Sequence, residues 1–218
     1  VKVVFKEKTI TADKFPDVQT LTSHIKACAT ELSLATQNDD SRAEIEKAYS
    51  VISDDSFRVL EIADFNTTGM PGPDEKTKPF HSYIKTEGNA SGGTQRGGSH
   101  GHGKAAPLSL SYLRTILVST AWEDDKGNLE KLFQGRATLK SHELVGRNFD
   151  YKGYLGGENF RAISDIRQEY AWLEREDMPG TTIRLMGWMS PSLWQELVIG
   201  YAIAIYFSAI LRNKLELE

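Results

Sequence analysis

From Gly88 to Lys104 the chain reads GNASGGTQRGGSHGHGK, seven glycines in seventeen residues. Such a segment has almost no apolar surface to bury, so the core has to be built from what lies on either side of it. It is suited instead to wrapping main chain closely around an anion, because glycine reaches conformations barred to other residues and leaves N–H groups free. Gly98 to Lys104 has the G-x-x-x-x-G-K skeleton of a P-loop, with Ala105 where a Ser or Thr would hold magnesium. A P-loop directly follows a buried strand, whereas Ser, Gly, Thr, Gln and Arg precede this one. A plain glycine linker is the bland alternative. A helix-like run from Ala105 to Leu113 follows at once, and a glycine loop feeding a helix N-terminus gathers N–H groups and a positive dipole end at one anion site.

The 218 residues suit one sizeable α/β or α+β domain, and the chain is read as a single domain over 1–218. With 26 basic and 30 acidic residues the net charge is −4, which offers no general attraction to nucleic acid or membrane. Cys28, the single cysteine, sits in a helical pattern as a small core residue, which fits a reducing, cytoplasmic setting. The strongest apolar run, Leu197 to Leu211, is shorter than the roughly 18–20 residues of a bilayer span. It is therefore expected to be a central helix buried on all sides, in a soluble protein without a membrane partner.

Val1 to Phe5 alternates as an edge strand, and Asp17 to Gln37 carries apolar residues at three- and four-residue steps, as a helix does. Ala43–Ser53 and Ser56–Ala63 are expected as two strands joined by a Ser-Asp-Asp turn. The second runs into Asp64 and a glycine turn, which puts a carboxylate at the mouth of a sheet. Leu108 to Leu113 continues a helix, Thr115–Trp122 and Leu129–Thr138 form a hairpin, and Asn148–Asn159 is loop or short strands. Ile163–Glu174 is expected to be helical and Thr181–Trp188 a strand. Ser190-Pro191-Ser192 starts the long apolar helix, and Lys214–Glu218 begins a further strand. The sum is an α+β, two-layer sandwich: a mixed, mostly antiparallel sheet with helices on one face.

Three separated elements resemble the GHKL or Bergerat-fold ATPases, a superfamily that includes gyrase B, the MutL mismatch-repair proteins, the large heat-shock chaperones, the MORC proteins and the histidine kinases. Ile62 to Met70, IADFNTTGM, is similar to that family's D-x-G-x-G motif. The resemblance implies that Asp64 accepts the adenine amino group, and that Gly69, followed by Met70, lets the nucleotide approach. Gly97 to Lys104 resembles the second glycine box, in which Gly98, Ser99, His100, Gly101, His102, Gly103 and Lys104 would close on the phosphates. Pro179 to Ile183, PGTTI, resembles the late G-T strand start, so Thr181 would support the adenine-side Asp. Residues 71–104 would be the ATP lid. DFNTTGM, GGSHGHGKAAP and LRTILVST are together similar to bacterial proteins described only as GHKL-type ATP-binding proteins.

The pattern also departs from the family's. One extra residue separates Asp64 from Gly69, and Asn66 stands near a usual glycine. The family carries Glu, which orients the attacking water, four residues before the Asn that binds magnesium. Here Asn38 is the magnesium candidate but Leu34 precedes it by four, leaving Glu31, two turns away, as the candidate base. The resemblance thus implies binding of ATP and Mg2+, slow hydrolysis of the ATPase kind, and a lid that on closing drives a conformational or homodimerisation switch. It further implies a downstream transducer domain outside this chain, through which a nucleic acid or protein client would be engaged. A non-catalytic nucleotide sensor, a histidine kinase and a P-loop NTPase are the competing readings. Metal binding by His100 and His102 finds no Cys or carboxylate cluster to complete it.

Overall fold

The computed structural model describes residues 1–34, 39–86, 104–166 and 168–218. Its centre is a seven-stranded sheet built from β1 (Lys2–Thr11), β2 (Ser56–Phe65), β3 (Ser111–Glu123), β4 (Leu129–Thr138), β7 (Lys152–Leu155), β8 (Gly180–Trp188) and β9 (Glu216–Leu217). The strand order is β7-β4-β3-β8-β2-β1-β9. Every pairing is antiparallel except that of β9, which lies parallel to β1 at Lys2 and Val3. β5 (His142–Leu144) and β6 (Arg147–Phe149) form a separate small hairpin. The fold is α+β with a mixed, mostly antiparallel sheet.

Strand alternation divides the apolar residues between the two faces. Phe57, Val59, Leu117, Phe133 and Met186 share one core with Ile25, Ala48 and Ile52 from α1 (Val18–Leu34) and α2 (Asp39–Ser53). Leu60, Ile116, Val118 and Leu185 point the other way, into a core with Phe80 and Ile84 of α3 (Pro79–Lys85) and Leu108 of α4 (Ala106–Ser109). Helices on one face therefore describes α1 and α2, while the short α3 and α4 cover the opposite face.

Several expected elements change. Ala43–Ser53 is helix and not strand, because its buried residues Ile45, Ala48 and Ile52 recur at three and four, and Arg42 and Glu46 pair at i,i+4 (2.9 Å). The helix expected over Leu108–Leu113 stops at Ser109, since Ser111 already pairs with Trp188 in the sheet. Ile163 bridges Phe133 as a strand residue, and only Gln168–Leu173 coils, as a 3-10 helix. Ile163, Ile166, Tyr170 and Leu173 still pack against the first core, so the spacing reports burial while the sheet edge decides the conformation. Cys28 is buried as expected.

The largest correction concerns the apolar run. It forms α5 (Trp194–Leu211), 18 residues with mean hydropathy 1.5, and none of its residues is buried. By length and composition it is long and apolar enough to cross a membrane. Apolarity on every side signals a helix that needs a cover, and among the described residues the partly buried ones of α5 are Trp194, Val198, Ala202, Ala209 and Ile210.

A buried ion pair ties the first face together. Arg184 of β8 donates from Nε to Glu61 Oε2 of β2 (2.7 Å), with further bonds to Ser119 Oγ (2.8 Å) and the Trp172 carbonyl (3.3 Å). Lys8 adds a second cation to the same Glu61 oxygen at 3.0 Å. Burial alone would raise the Glu61 pKa, but the charges of Arg184 and Lys8 and their hydrogen bonds hold it below its ordinary 4.5. A depressed carboxylate pKa contributes stability that is complete above that ordinary value and lost as pH falls through the lower folded one. Glu61→Gln should cost about 3 kcal/mol of stability at pH 7. In denaturant titrations the gap to wild type should narrow as the pH drops toward about 3; an equal gap at both pH values would contradict this assignment.

Candidate functional site

β2 delivers Asp64 to the end of a strand bonded on both sides, by β1 and by β8. Its position in the alternation puts it on the face shared with Leu60 and Ile62, the α3–α4 side. Asp64 Oδ1 accepts from Thr67 Oγ1 and from the Thr181 backbone N–H at 3.1 Å. Among the described residues none donates to Oδ2. One carboxylate oxygen is thus fixed by described residues, while the other keeps its acceptor capacity toward them.

The turn after Asp64 is fixed with equal care. Asn66 and Gly69 both have positive φ, 58° and 62°. A Cβ on Gly69 would lie 2.0 Å from the Ala121 carbonyl oxygen of β3, so the turn presses its backbone directly onto the sheet. Met70 N–H donates to Thr120 Oγ1 (2.8 Å), and Thr120 donates in turn to the Gly180 carbonyl (3.1 Å). Three strands therefore converge here: β2 with Asp64, β3 with Thr120 and β8 with Thr181. Thr181 does support Asp64, through its backbone and not its hydroxyl.

Arg175 closes the far side. Its guanidinium donates to the Asp64 carbonyl and to Thr182 Oγ1 (2.6 Å) and sits 4.5 Å from the centroid of the Phe65 ring. Burial lowers its pKa, with Asp64 acting in the opposite direction. Nothing in the spacing around Arg175 marks it in the sequence. Thr120 lies inside LRTILVST, but its contact spans fifty residues and depends on strand pairing that the sequence does not display.

Lys104 lies ahead of α4 and donates from Nζ to the Ser82 carbonyl (2.9 Å) and to Ser82 Oγ (3.0 Å), which ties it to α3. Its pKa is lowered by burial and then by the nearby charge of Arg136. Arg136, on β4, is itself buried and alternates onto the same face as Asp64. Tyr83 of α3 is pushed up to about 12 by burial, against the influence of Arg136. The α3–α4 face thus carries a carboxylate acceptor at the end of β2 and a pair of cations, Lys104 and Arg136. Sequence reasoning identified the first cation and missed the second.

Asn38 and the glycine-box positions Gly98, Ser99, His100, Gly101, His102 and Gly103 lie outside the described residues, as does most of the expected lid; of 71–104, residues 71–86 and Lys104 are described. Glu31 is placed elsewhere. It is exposed on α1, where its Oε1 accepts the Glu143 backbone N–H of β5 (3.2 Å). α1 packs on the sheet face opposite to Asp64, so the structure does not bring the candidate base and the carboxylate acceptor together.

A second constellation occupies that opposite face. A cavity of about 380 Å3 opens between α1 and the β4–β7 edge, lined by Phe15, Leu21, Leu139, Phe149, Tyr154 and Leu155 among others. His24 and His142 stand at its wall, with His24 Nδ1 2.7 Å from His142 Nε2 and Cys28 Sγ 3.2 Å from His142 Nδ1. Burial and then the neighbouring His142 lower the His24 pKa. No group of three metal-ligating side chains occurs among the described residues. Among the described residues, the Asp64 side brings together a carboxylate oxygen that accepts from none of them, the close backbone approach at Gly69 and the cations Lys104 and Arg136.

Comparison with protein-family models, with curated proteins and with solved structures gives no match.

The packing of Gly69 gives a direct check. Gly69→Ala should cost about 3 kcal/mol or more, from both left-handed strain and collision with Ala121. Gly127→Ala, at φ 81° with nothing within 4 Å of its would-be Cβ, should cost only about 1 kcal/mol. Equal losses in thermal melts would show that the turn is not pressed against β3.

Proposed function

We propose that the chain is the ATP-binding domain of a GHKL-type ATPase, with the Bergerat arrangement of a nucleotide held between sheet, lid and helices. The observation that carries this reading is the Asp64 carboxylate, fixed through Oδ1 by Thr67 and Thr181 while no described residue donates to Oδ2. Such an oxygen accepts the exocyclic amino group of adenine and rejects a purine that presents a carbonyl there. Gly69 lets the turn press onto β3 beside Asp64, and Met70 lies in the apolar cluster of the same face, where the base would stack. Lys104 and Arg136 would neutralise phosphate charge, and the glycine box from Gly98 to Gly103 would close over the phosphates with its amides. Asn38 would place Mg2+ between phosphate oxygens. Magnesium supplies charge neutralisation when bound, and the chain's own part is to hold the nucleotide and exclude water.

Lid closure on ATP would then bias a conformational or dimerisation switch passed to a further domain. Hydrolysis would be slow, since Glu31 sits on the other sheet face. That placement favours one second reading, a nucleotide-sensing module without turnover.

Calorimetric titration of magnesium-ATP into wild type and Asp64→Asn tests the proposal. Asn keeps an acceptor for Thr67 and Thr181 but turns an N–H donor toward the adenine amino group. Affinity should fall about tenfold or more, equivalent to about 1.4 kcal/mol. Equal binding by both proteins, or none by wild type, would remove the adenine pocket from this face.

A further inference from the structure

His24 of α1 and His142 of β5 meet at the wall of the cavity beside the β4–β7 edge, and the hydrogen bonds around them assign their protons. The Lys140 carbonyl can only accept, so His142 Nδ1, 2.7 Å from it, carries a hydrogen and donates. Cys28 Sγ donates to the same carbonyl (3.3 Å), and burial raises the thiol's pKa, which keeps that hydrogen on sulfur. His142 is 6% exposed and no carboxylate bonds to either ring among the described residues, so a charge there would sit uncompensated in an apolar wall. A neutral imidazole holds one ring hydrogen, so His142 Nε2 accepts and His24 Nδ1, 2.7 Å away, donates to it. Burial and then His142 lower the His24 pKa against the pull of Asp17, so the second ring is neutral as well near pH 7. His24 Nε2 is therefore a lone-pair acceptor, and no described residue bonds to it.

The rest of the wall is apolar and largely aromatic. Phe15, Phe149, Tyr154 and Phe160 line it together with Leu21 and Leu155. Phe149 lies stacked on His142, with 13° between the planes, and edge-on to His24 with centroids 4.7 Å apart, so it holds both imidazoles in place. At the rim Asn159 and Phe160 both take positive φ, 55° and 58°, and this strained backbone holds the Phe160 ring 64% exposed, 5.9 Å from Tyr154. A volume of about 380 Å3 lies within the roughly 300–1,000 Å3 of small-molecule pockets.

We infer that this cavity is a binding site for a small, neutral aromatic alcohol of the phenol class, whose hydroxyl donates to His24 Nε2. An acceptor nitrogen disfavours a carboxylate or carbonyl oxygen, which would set one lone pair against another. An ammonium group would surrender its hydration to a mostly apolar wall. A phenol joins a neutral donor to a flat apolar body, and ring edges and faces such as those of Phe149 and Tyr154 pair with that body. His142 acts as a positioning residue, since its bond to Lys140 decides which nitrogen of His24 is left as the acceptor. The cavity lies on the sheet face opposite Asp64, so the inference is independent of the ATP reading.

The test is calorimetric titration of two probes into the full chain: 2-naphthol, and 2-methylnaphthalene, in which a methyl of similar size replaces the hydroxyl. Wild type should bind both. His24→Phe should weaken 2-naphthol about fivefold or more and change 2-methylnaphthalene by less than about twofold. Leu21→Trp, which fills the cavity, should abolish binding of both with an unchanged circular dichroism spectrum. Nitrogen-15 NMR of histidine-labelled wild type, which needs no variant, should show His24 unprotonated at Nε2 at about pH 7.5, with that resonance moving when 2-naphthol is added. A wild type that does not bind 2-naphthol overturns the inference. So does equal weakening of both probes by His24→Phe, binding that survives Leu21→Trp, or a hydrogen found on His24 Nε2.

Discussion

Hydrogen bonding of β8 on both sides is the constraint on which the rest of the structure depends. Running from Gly180 to Trp188 at the middle of the sheet, it pairs with β2 along one edge and β3 along the other. Each of its residues serves one face or the other. Thr181 N–H reaches Asp64, Thr182 receives Arg175, Arg184 holds Glu61, and Leu185 and Met186 enter opposite cores. A one-residue slip of this strand would exchange its faces, separating Thr181 from Asp64 and sending Arg184 into apolar surroundings. Site geometry and fold stability are set by the same register.

The two faces divide the chemistry. On the α1–α2 side, the Arg184–Glu61 pair and an aromatic cavity with a histidine pair sit among apolar residues, and the charges there satisfy one another. On the α3–α4 side, Asp64 keeps one oxygen unengaged by described residues, and burial and then the nearby charge of Arg136 lower the Lys104 pKa. Ion pairs that satisfy one another belong to a core, whereas a carboxylate fixed through one oxygen has the other available as an acceptor.

Much of this was legible in the sequence wherever local pattern and tertiary demand agree. The alternation in β2, β3, β4 and β8 and the spacing in α1 led to the α+β sheet, and Asp64, Gly69, Thr181 and Lys104 were each singled out from their motifs. What failed did so for identifiable reasons. Ala43–Ser53 is rich enough in Ile, Tyr and Val to pass for a strand, and only the burial of Ile45, Ala48 and Ile52 reveals the helix. Glu31 has helical spacing toward Asn38, but which sheet face α1 covers is a tertiary fact. Arg175 and Arg136 act through strands distant in sequence. The run at Leu197–Leu211 was read as buried because a helix apolar on all sides must be covered by something, and periodicity does not say by which molecule.

The claim at the centre of this account is that Asp64 Oδ2 is the acceptor for adenine. A co-crystal structure with a non-hydrolysable ATP analogue and magnesium measures it most directly. The account predicts the adenine amino nitrogen within hydrogen-bond distance of Asp64 Oδ2, with the phosphates toward Lys104. A nucleotide bound away from Asp64, or seated in the aromatic cavity beside His24 and His142, would contradict it.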